Sequence, residues 1–129
     1  NEGSCNGGLA EETAALVTKV NSPNLKVLWD PGNERARGLS PYPEGYQHVK
    51  HLLAHVHLKD AAVKPGASAR CVPIGQGEVP YREQFQALIS DGYDGLYVIE
   101  THYVPEGGTK KDGTKQTLDG IRAILKQLE

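Results

Sequence analysis

The sequence predicts an α/β fold built on a parallel sheet, and two features of the chain indicate it. Three short apolar runs, rich in β-branched or aromatic residues, are typical of buried strands: residues 25–29, 54–58 and 96–99. Segments with a helical spacing of apolar residues lie between these runs. Strands that alternate with helices form parallel sheets, in which the carboxyl ends of all strands lie at one edge.

Periodicity predicts four helices, over residues 10–20, 43–53, 81–90 and 114–128. Leu16, Val17 and Val20 share one face of the first helix. Pro43 is an N-terminal signal for the second helix, and Phe85 is on the buried face of the third. The last helix carries its apolar residues at helical spacing, namely Leu118, Ile121, Ile124, Leu125 and Leu128.

Turns and loops separate these elements. Residues 30–33, Asp-Pro-Gly-Asn, have the composition of a turn, and residues 34–43 follow as a polar loop. A long loop over residues 61–79 follows the second strand, and a Gly- and Lys-rich loop over 104–113 follows the third. The loops after the strands are longer than those before them, as expected where the carboxyl ends of strands build a site.

Length and composition describe one domain over residues 1–129 and exclude several kinds of partner. A chain of 129 residues can bury a core, and its formal net charge of -2 offers no attraction for nucleic acid. It contains neither an apolar run long enough for a bilayer nor a signal-peptide pattern. Cys5 and Cys71 are interpreted as thiols in a reducing cytoplasm, although a disulfide stays open. We therefore expect a cytoplasmic protein with neither a nucleic-acid nor a membrane partner.

Each predicted strand ends in or beside an ionisable residue. Asp30 follows the first strand, His57 lies near the end of the second, and Glu100 follows the third. Because the carboxyl ends of parallel strands share one edge, these three side chains are expected to converge. Two carboxylates and one imidazole suit Mn²⁺, Mg²⁺, Co²⁺ or Zn²⁺, and the lack of thiolate ligands leaves the choice open.

Each of these residues also has a simpler structural interpretation. Asp30 is placed to cap the turn that follows it, His57 to be a satisfied core histidine, and Glu100 to be an exposed acid. Their equivalent positions in successive units favour the metal site. Lys59 and Asp60 are expected to form a structural pair, and Asp60 to orient His57 or a loop amide.

Five motifs occur in order along the chain: Trp29-Asp30-Pro31-Gly32-Asn33, His55-Val56-His57-Leu58-Lys59-Asp60, Ile74-Gly75-Gln76-Gly77-Glu78-Val79, Asp91-Gly92-Tyr93-Asp94-Gly95 and Ile99-Glu100-Thr101-His102. Together they resemble the C-terminal half of a xylose-isomerase-like TIM barrel, the sugar phosphate isomerase and epimerase family related to the type IV apurinic endonucleases. The resemblance implies a partial (β/α)8 barrel with three parallel strands and four helices. Three strands are too few to close a barrel, which needs eight.

The resemblance also implies a metal centre held by a Glu, an Asp, a His and a second Glu. Asp30, His57 and Glu100 fall on the last three, and the first Glu is expected directly before Asn1. Glu2 lies two positions away from that pattern. Glu100 and His57 are the catalytic candidates that the resemblance implies, and in the isomerases a carboxylate at the position of Glu100 transfers a substrate proton.

Two further residues are candidates for substrate binding. Arg70 lies in the loop where several relatives carry an arginine that contacts substrate oxygens, and it is equally well read as a solvated loop residue. Asn33 stands where the endonucleases and some epimerases carry His, and its amide suits a sugar hydroxyl or the closing of a turn.

The resemblance implies a metal-dependent isomerase or epimerase of a small sugar, keto-sugar or polyol derivative, acting through a metal-stabilised enediolate. A dehydratase of the same fold shares the ligand set. An abasic-site endonuclease is disfavoured, because that enzyme carries a His at the position of Asn33 and an Asp-x-His motif at residues 69–72, and this chain has neither. The alternative is a non-catalytic half-barrel or assembly module. The expected partners are a sugar-like substrate and either an N-terminal half-barrel or a second copy of the chain.

Overall fold

A three-stranded parallel sheet forms the centre of the protein. The computed structural model describes residues 1–64 and 66–128. The strands are β1 (Val27–Trp29), β2 (Leu53–Leu58), β3 (Asp60–Ala62), β4 (Arg70–Val72) and β5 (Leu96–Ile99). The parallel sheet has the order β1-β2-β5, whereas β3 and β4 form an antiparallel hairpin. The predicted parallel α/β arrangement is confirmed.

Five α-helices accompany the sheet in the described ranges, one more than the sequence predicts. They are α1 (Ala10–Val20), α2 (Pro31–Ala36), α3 (Tyr46–Val49), α4 (Tyr81–Ser90) and α5 (Lys110–Leu125). A π-helical segment, Pro41–Gly45, leads into α3. None of the helices within these ranges is long and apolar enough to cross a membrane.

The register of the sheet aligns the carboxyl ends of its strands. Trp29 in β1 is level with Val56 in β2, and Leu58 at the end of β2 is level with Ile99 at the end of β5. The residues that follow these ends therefore lie at one edge of the sheet.

The helices cover one face of the sheet, where the core lies. Trp29, Val56 and Leu58 point to this side and are almost fully buried. The Trp29 ring lies 5.6 Å from the ring of Tyr46, which brings α3 against the sheet. Phe85 of α4 is also buried in this core. Burial of aromatic and aliphatic side chains on this face is the main stabilising contribution to the fold.

The opposite face of the sheet is open. Side chains alternate along a strand, so Leu28, His55 and Leu96, which are level with one another, point away from the helices. Leu28 is 36% exposed, Leu96 64% and Val98 39%. These residues would face the interior of a closed barrel.

The predicted turn at residues 30–33 is wrong, because this segment begins α2. Pro31 occupies the first helical position, and the Asp30 side chain caps the helix by accepting from the Asn33 N–H at 2.9 Å. The buried carboxylate of Glu34 then ties α2 to its surroundings, accepting from Trp29 Nε1 at 2.9 Å and from the Ala10 N–H at 2.8 Å. The contacts of Glu34 with Ala10 and Trp29 form only in the folded protein, so the composition of residues 30–33 predicted a turn and not a helix.

The second predicted helix, 43–53, begins as a π-helical segment and ends earlier than predicted. Within Pro41–Gly45, Tyr42 is extended and Gly45 is already in the right-handed helical region, and the α-helix α3 follows from Tyr46. The helix ends early because the Leu52 N–H donates to the Val49 carbonyl at 2.8 Å, closing a turn. Leu53 then begins β2, where it pairs with Val27.

The long loop predicted over residues 61–79 contains the β3–β4 hairpin. Asp60 begins β3, and its carboxylate accepts from the N–H groups of Gly75, Gly77 and Val79 at 3.0, 3.0 and 3.1 Å. It also accepts from the Ala61 N–H at 2.8 Å. One buried carboxylate therefore holds both ends of this segment together.

The last helix begins four residues earlier than predicted. Thr109 caps it, and the side chains of Thr109 and Asp112 form a reciprocal capping box. Two positions within this helix, Gly113 and Gly120, require glycine. A Cβ at Gly113 would overlap the carbonyl oxygen of Tyr103, and a Cβ at Gly120 would overlap that of Ile74. Gly113 made the start of this segment look like part of the preceding loop, whereas both glycines allow the helix to pack closely.

Candidate metal centre

The three predicted ligands meet at the carboxyl edge of the sheet. Asp30 follows β1, His57 lies within β2, and Glu100 follows β5. One potential ligand atom from each lies within 4.8 Å of the others. His57 Nδ1 is 3.6 Å from Asp30 Oδ2 and 3.7 Å from Glu100 Oε1. The predicted convergence of two carboxylates and an imidazole is therefore present in the structure.

The two oxygens of Asp30 have different partners. Oδ1 caps α2, whereas Oδ2 is buried and accepts no hydrogen bond of good geometry from the described residues. The nearest cation to Oδ2 is the Lys59 ammonium, at 2.8 Å. Burial raises the pKa of Asp30 above its ordinary value, although Lys59 acts in the opposite direction. Asp30 is thus both the expected helix cap and an oxygen donor directed at the cluster, where its Oδ2 is ion-paired with Lys59.

Lys59 is the residue of the site that sequence reasoning missed. Its ammonium pairs with Asp30 and with Glu100 Oε2, and its side chain is only 8% exposed. The predicted pair with Asp60 is wrong, because adjacent strand residues point to opposite sides. The signal was available in the sequence, since His57 and Lys59 are two residues apart and share a side of the strand.

The charge of Lys59 controls the acidity of Glu100. Burial alone would raise the pKa of Glu100, but hydrogen bonding and charge from Lys59 outweigh this and lower the pKa to about 2. The pKa of Lys59 is itself raised, because its contacts with Asp30 and Glu100 outweigh the lowering effect of burial. Glu100 is therefore an anion over the whole physiological range.

Two further histidines lie beside the three ligands. His102 Nε2 is 3.2 Å from Glu100 Oε2 and is 54% exposed, so it lies at the open side of the cluster. The His55 ring meets the His57 ring edge-on at 5.2 Å, and its Nε2 is buried without a hydrogen-bond partner among the described residues. Burial, followed by the neighbouring His57, lowers the pKa of His55 and favours its neutral form.

The two candidate substrate-binding residues do not join the cluster. The Asn33 side chain donates to the Asn1 carbonyl at 2.9 Å and approaches Glu2 Oε2 at 3.5 Å, so it holds the N-terminal segment. Arg70 is exposed on β4, and no hydrogen bond or ion pair within the described ranges links it to Asp30, His57 or Glu100. Their roles in binding substrate stay predictions.

The cluster fits a divalent cation. Oxygen and imidazole donors suit hard and borderline divalent ions, and the buried Asp30 Oδ2 already carries a cation, the Lys59 ammonium, at 2.8 Å. A polar edge formed by the carboxyl ends of parallel strands is also where βα barrels carry their active sites. Fold and site together define part of a TIM barrel with a candidate metal centre at the carboxyl edge of its strands.

The chain belongs to the Xylose isomerase-like TIM barrel family, whose model matches residues 1–126. The family resemblance inferred from the five motifs is therefore confirmed, as is the partial-barrel fold class.

Relatives with assigned activities include two kinds of sugar-modifying enzyme. The chain is 36% identical over 81 residues to L-ribulose-5-phosphate 3-epimerase UlaE of Salmonella typhi, covering 63% of this chain and 27% of the relative. It is 28% identical over 114 residues to an inosose dehydratase of Geobacillus thermodenitrificans, covering 74% of this chain and 36% of the relative. The chain thus spans well under half the length of the curated relatives it matches.

Solved structures share the fold. The crystal structure of IOLI protein with a binding zinc atom has a TM-score of 0.74 at 19% identity, covering 95% of this chain and 45% of that one. A xylose isomerase-like TIM barrel protein from Mycobacterium smegmatis in complex with magnesium has a TM-score of 0.67 at 24% identity, covering 92% of this chain and 41% of that one. At these identities the likeness concerns the fold.

Proposed function

We propose that the chain is the C-terminal part of a divalent-metal-dependent isomerase or epimerase acting on a small sugar, keto-sugar or polyol derivative. The observation that carries the proposal is the meeting of Asp30, His57 and Glu100, whose ligand atoms lie within 4.8 Å of one another. The epimerase relative, 36% identical over 81 residues, supports the choice of reaction.

The ligands of the cation would be Asp30 Oδ2, one nitrogen of His57 and one oxygen of Glu100. A bound Mn²⁺, Mg²⁺, Co²⁺ or Zn²⁺ would polarise a substrate carbonyl and stabilise the negative charge of an enediolate. The zinc and magnesium complexes of proteins with the same fold support this choice of ions.

The chain's own residues supply binding and proton transfer. Glu100 is 31% exposed, so its carboxylate reaches the open side of the cluster, where it would take a proton from substrate carbon or return one. His57 fixes the ligand geometry from within β2, between the two carboxylates. Arg70 and Asn33 would bind substrate oxygens through their donor groups. Such binding requires Asn33 to exchange its present contact with Asn1 for one with substrate.

The fourth ligand would come from a segment next to β1. The Asn1 N–H donates to the Leu28 carbonyl at 2.8 Å, and the Asn1 side chain accepts from the Asp30 N–H at 2.7 Å. A Glu directly before Asn1 would therefore lie beside Asp30. We propose that an N-terminal half-barrel of the same protein, or else a second copy of the chain, covers the open face of the sheet. The free Cys5 and Cys71 are compatible with a cytoplasmic location.

Metal titration tests the proposal directly. Calorimetry with Mn²⁺ and Co²⁺ on chelator-treated protein should show binding in the micromolar range that His57→Ala abolishes. His51→Ala is the matched control, because His51 is exposed and lies before the opposite end of β2. Exchange of a substrate carbon-bound proton with deuterium from solvent should then be lost in Glu100→Gln. Full metal binding by the His57→Ala variant would rule out the proposed centre.

A dehydratase is the second candidate, favoured by the 28% identity over 114 residues with an inosose dehydratase. Both reactions begin by removing a proton next to a carbonyl, but a dehydratase then expels water. Mass analysis of the product separates them, because epimerisation conserves mass and dehydration removes one water. A folded protein that binds no metal and exchanges no proton would instead be the non-catalytic module.

A further inference from the structure

The ammonium group of Lys59 lies among the atoms that the proposed function assigns to the metal. Lys59 Nζ is 2.8 Å from Asp30 Oδ2 and contacts Glu100 Oε2. Both oxygens belong to ligand residues of the cluster, and the Lys59 side chain is only 8% exposed. A lysine is seldom buried to this extent unless its charge is paired.

The two carboxylates need such a charge. Asp30 is 1% exposed, and its potential ligand oxygen lies within 4.8 Å of that of Glu100. Two anions at this separation repel each other strongly where water is scarce, so a nearby cation is required to hold both in place. His57 does not contribute a full positive charge unless it is protonated. Lys59 is the fixed cation of this cluster.

The backbone of Lys59 is held firmly, so only its stem can move. The Lys59 N–H and carbonyl both bond to the hydroxyl of Tyr81, at 2.8 Å each, and Tyr81 is 2% exposed. On the other side, Gly32 of α2 approaches the Lys59 carbonyl so closely that a Cβ there would overlap it. The ammonium is therefore directed at the carboxylates by a rigid anchor, while the four-carbon stem allows it to rotate away.

We propose that Lys59 is a built-in counter-cation of the site, which a divalent metal must displace in order to bind Asp30 and Glu100. The proposal rests on the proposed function for the identity of the displacing ion. The ammonium and a metal ion compete for the buried Asp30 Oδ2, and the two positive charges repel each other across the small cluster. Lys59 thus sets the metal concentration at which the centre fills, and it stabilises the two carboxylates below that concentration.

The affinity of Mn²⁺ for chelator-treated protein, measured by calorimetry on wild type and Lys59→Met, tests this inference. Removing the competing charge should tighten Mn²⁺ binding about tenfold or more. Without metal, Lys59→Met should unfold at a lower temperature than wild type, and Mn²⁺ should raise its melting temperature by more than it raises that of wild type. Lys26→Met is the matched control, since exposed Lys26 precedes β1 whereas Asp30 follows it.

The possible outcomes separate this inference from the proposed function. If wild type binds Mn²⁺ and Lys59→Met binds it equally or more weakly, Lys59 supports the ligands rather than competing, and the inference is overturned while the metal site stands. If neither protein binds Mn²⁺, both are overturned. Lys59→Gln is the second uncharged variant, and it must show the same tightening should Lys59→Met fail to fold. Lys59→Arg keeps the charge and should not bind Mn²⁺ more tightly than wild type.

Discussion

Replacing Asp60 with asparagine should lower the free energy of unfolding by about 3 kcal/mol. Oδ1 of Asp60 accepts from the N–H groups of Ala61 and Val79, and Oδ2 from those of Gly75 and Gly77. Asparagine replaces one oxygen with an NH₂ donor, so two N–H groups lose their acceptor. Each buried N–H group left without an acceptor costs about 1–3 kcal/mol, so two of them cost about 2–6 kcal/mol together. The N–H groups of Gly75 and Gly77 are only partly buried, which favours the lower half of that range.

A loss of about 3 kcal/mol should lower the melting temperature of a chain this size by about 10 °C. Circular dichroism during heating, together with urea unfolding, measures both quantities. Asp94→Asn is the matched control, because Asp94 is exposed and should change the free energy of unfolding by less than about 0.5 kcal/mol. If Asp60→Asn were as stable as this control, the Asp60 carboxylate would not be holding the segment between β3 and α4.

Two other predictions concern α5 and the ion pair of the site. Gly113→Ala should lower the free energy of unfolding by about 2 kcal/mol or more, because the clash with the Tyr103 carbonyl outweighs the roughly 1 kcal/mol gain in helix propensity. Urea unfolding measures this loss, with Gln116→Ala at an exposed position of the same helix as the control. The pKa of Glu100 is lowered from 4.5 to about 2, so its stabilising effect is present above pH 4.5 and is lost as pH falls towards 2. The difference in unfolding free energy between wild type and Glu100→Gln should accordingly shrink over that interval, and a constant difference would contradict the Lys59–Glu100 pair.

The parallel sheet and the meeting of its ligands could be predicted because they depend on local patterns. The apolar run ending at Trp29 fixes the position of Asp30, and alternation along β2 puts His57 on the side opposite Val56. Parallel pairing then brings Glu100 to the same edge. The pairing of β2 with β5 is the one long-range contact among these steps, and the alternation of strands with helices predicts it; the structure bears each step out.

The features that the sequence did not predict depend on contacts across the fold. Helix α2 is held by Glu34, whose partners Trp29 and Ala10 lie on other elements. Gly113 reads as a loop residue until the carbonyl of Tyr103 is known to pack against it. Local propensity is a weak guide at such positions, because tertiary packing decides the outcome.

Lys59 is a different case, because its position was predictable and its partners were not. The spacing of His57 and Lys59 puts both on the same side of the strand, but only the register of three strands shows that two carboxylates lie within its reach.

The two oxygens of Asp30 have different roles, and this restricts which residue can occupy position 30. One oxygen holds the start of α2 and the other faces the cluster, so a single side chain joins helix stability to site chemistry. Asparagine would keep a capping oxygen but lose the anion, whereas glutamate would move its carboxylate beyond the geometry that N-cap residues use. Substitutions at position 30 would therefore damage folding and the proposed ion binding together, whereas His57 caps no helix and separates the two effects.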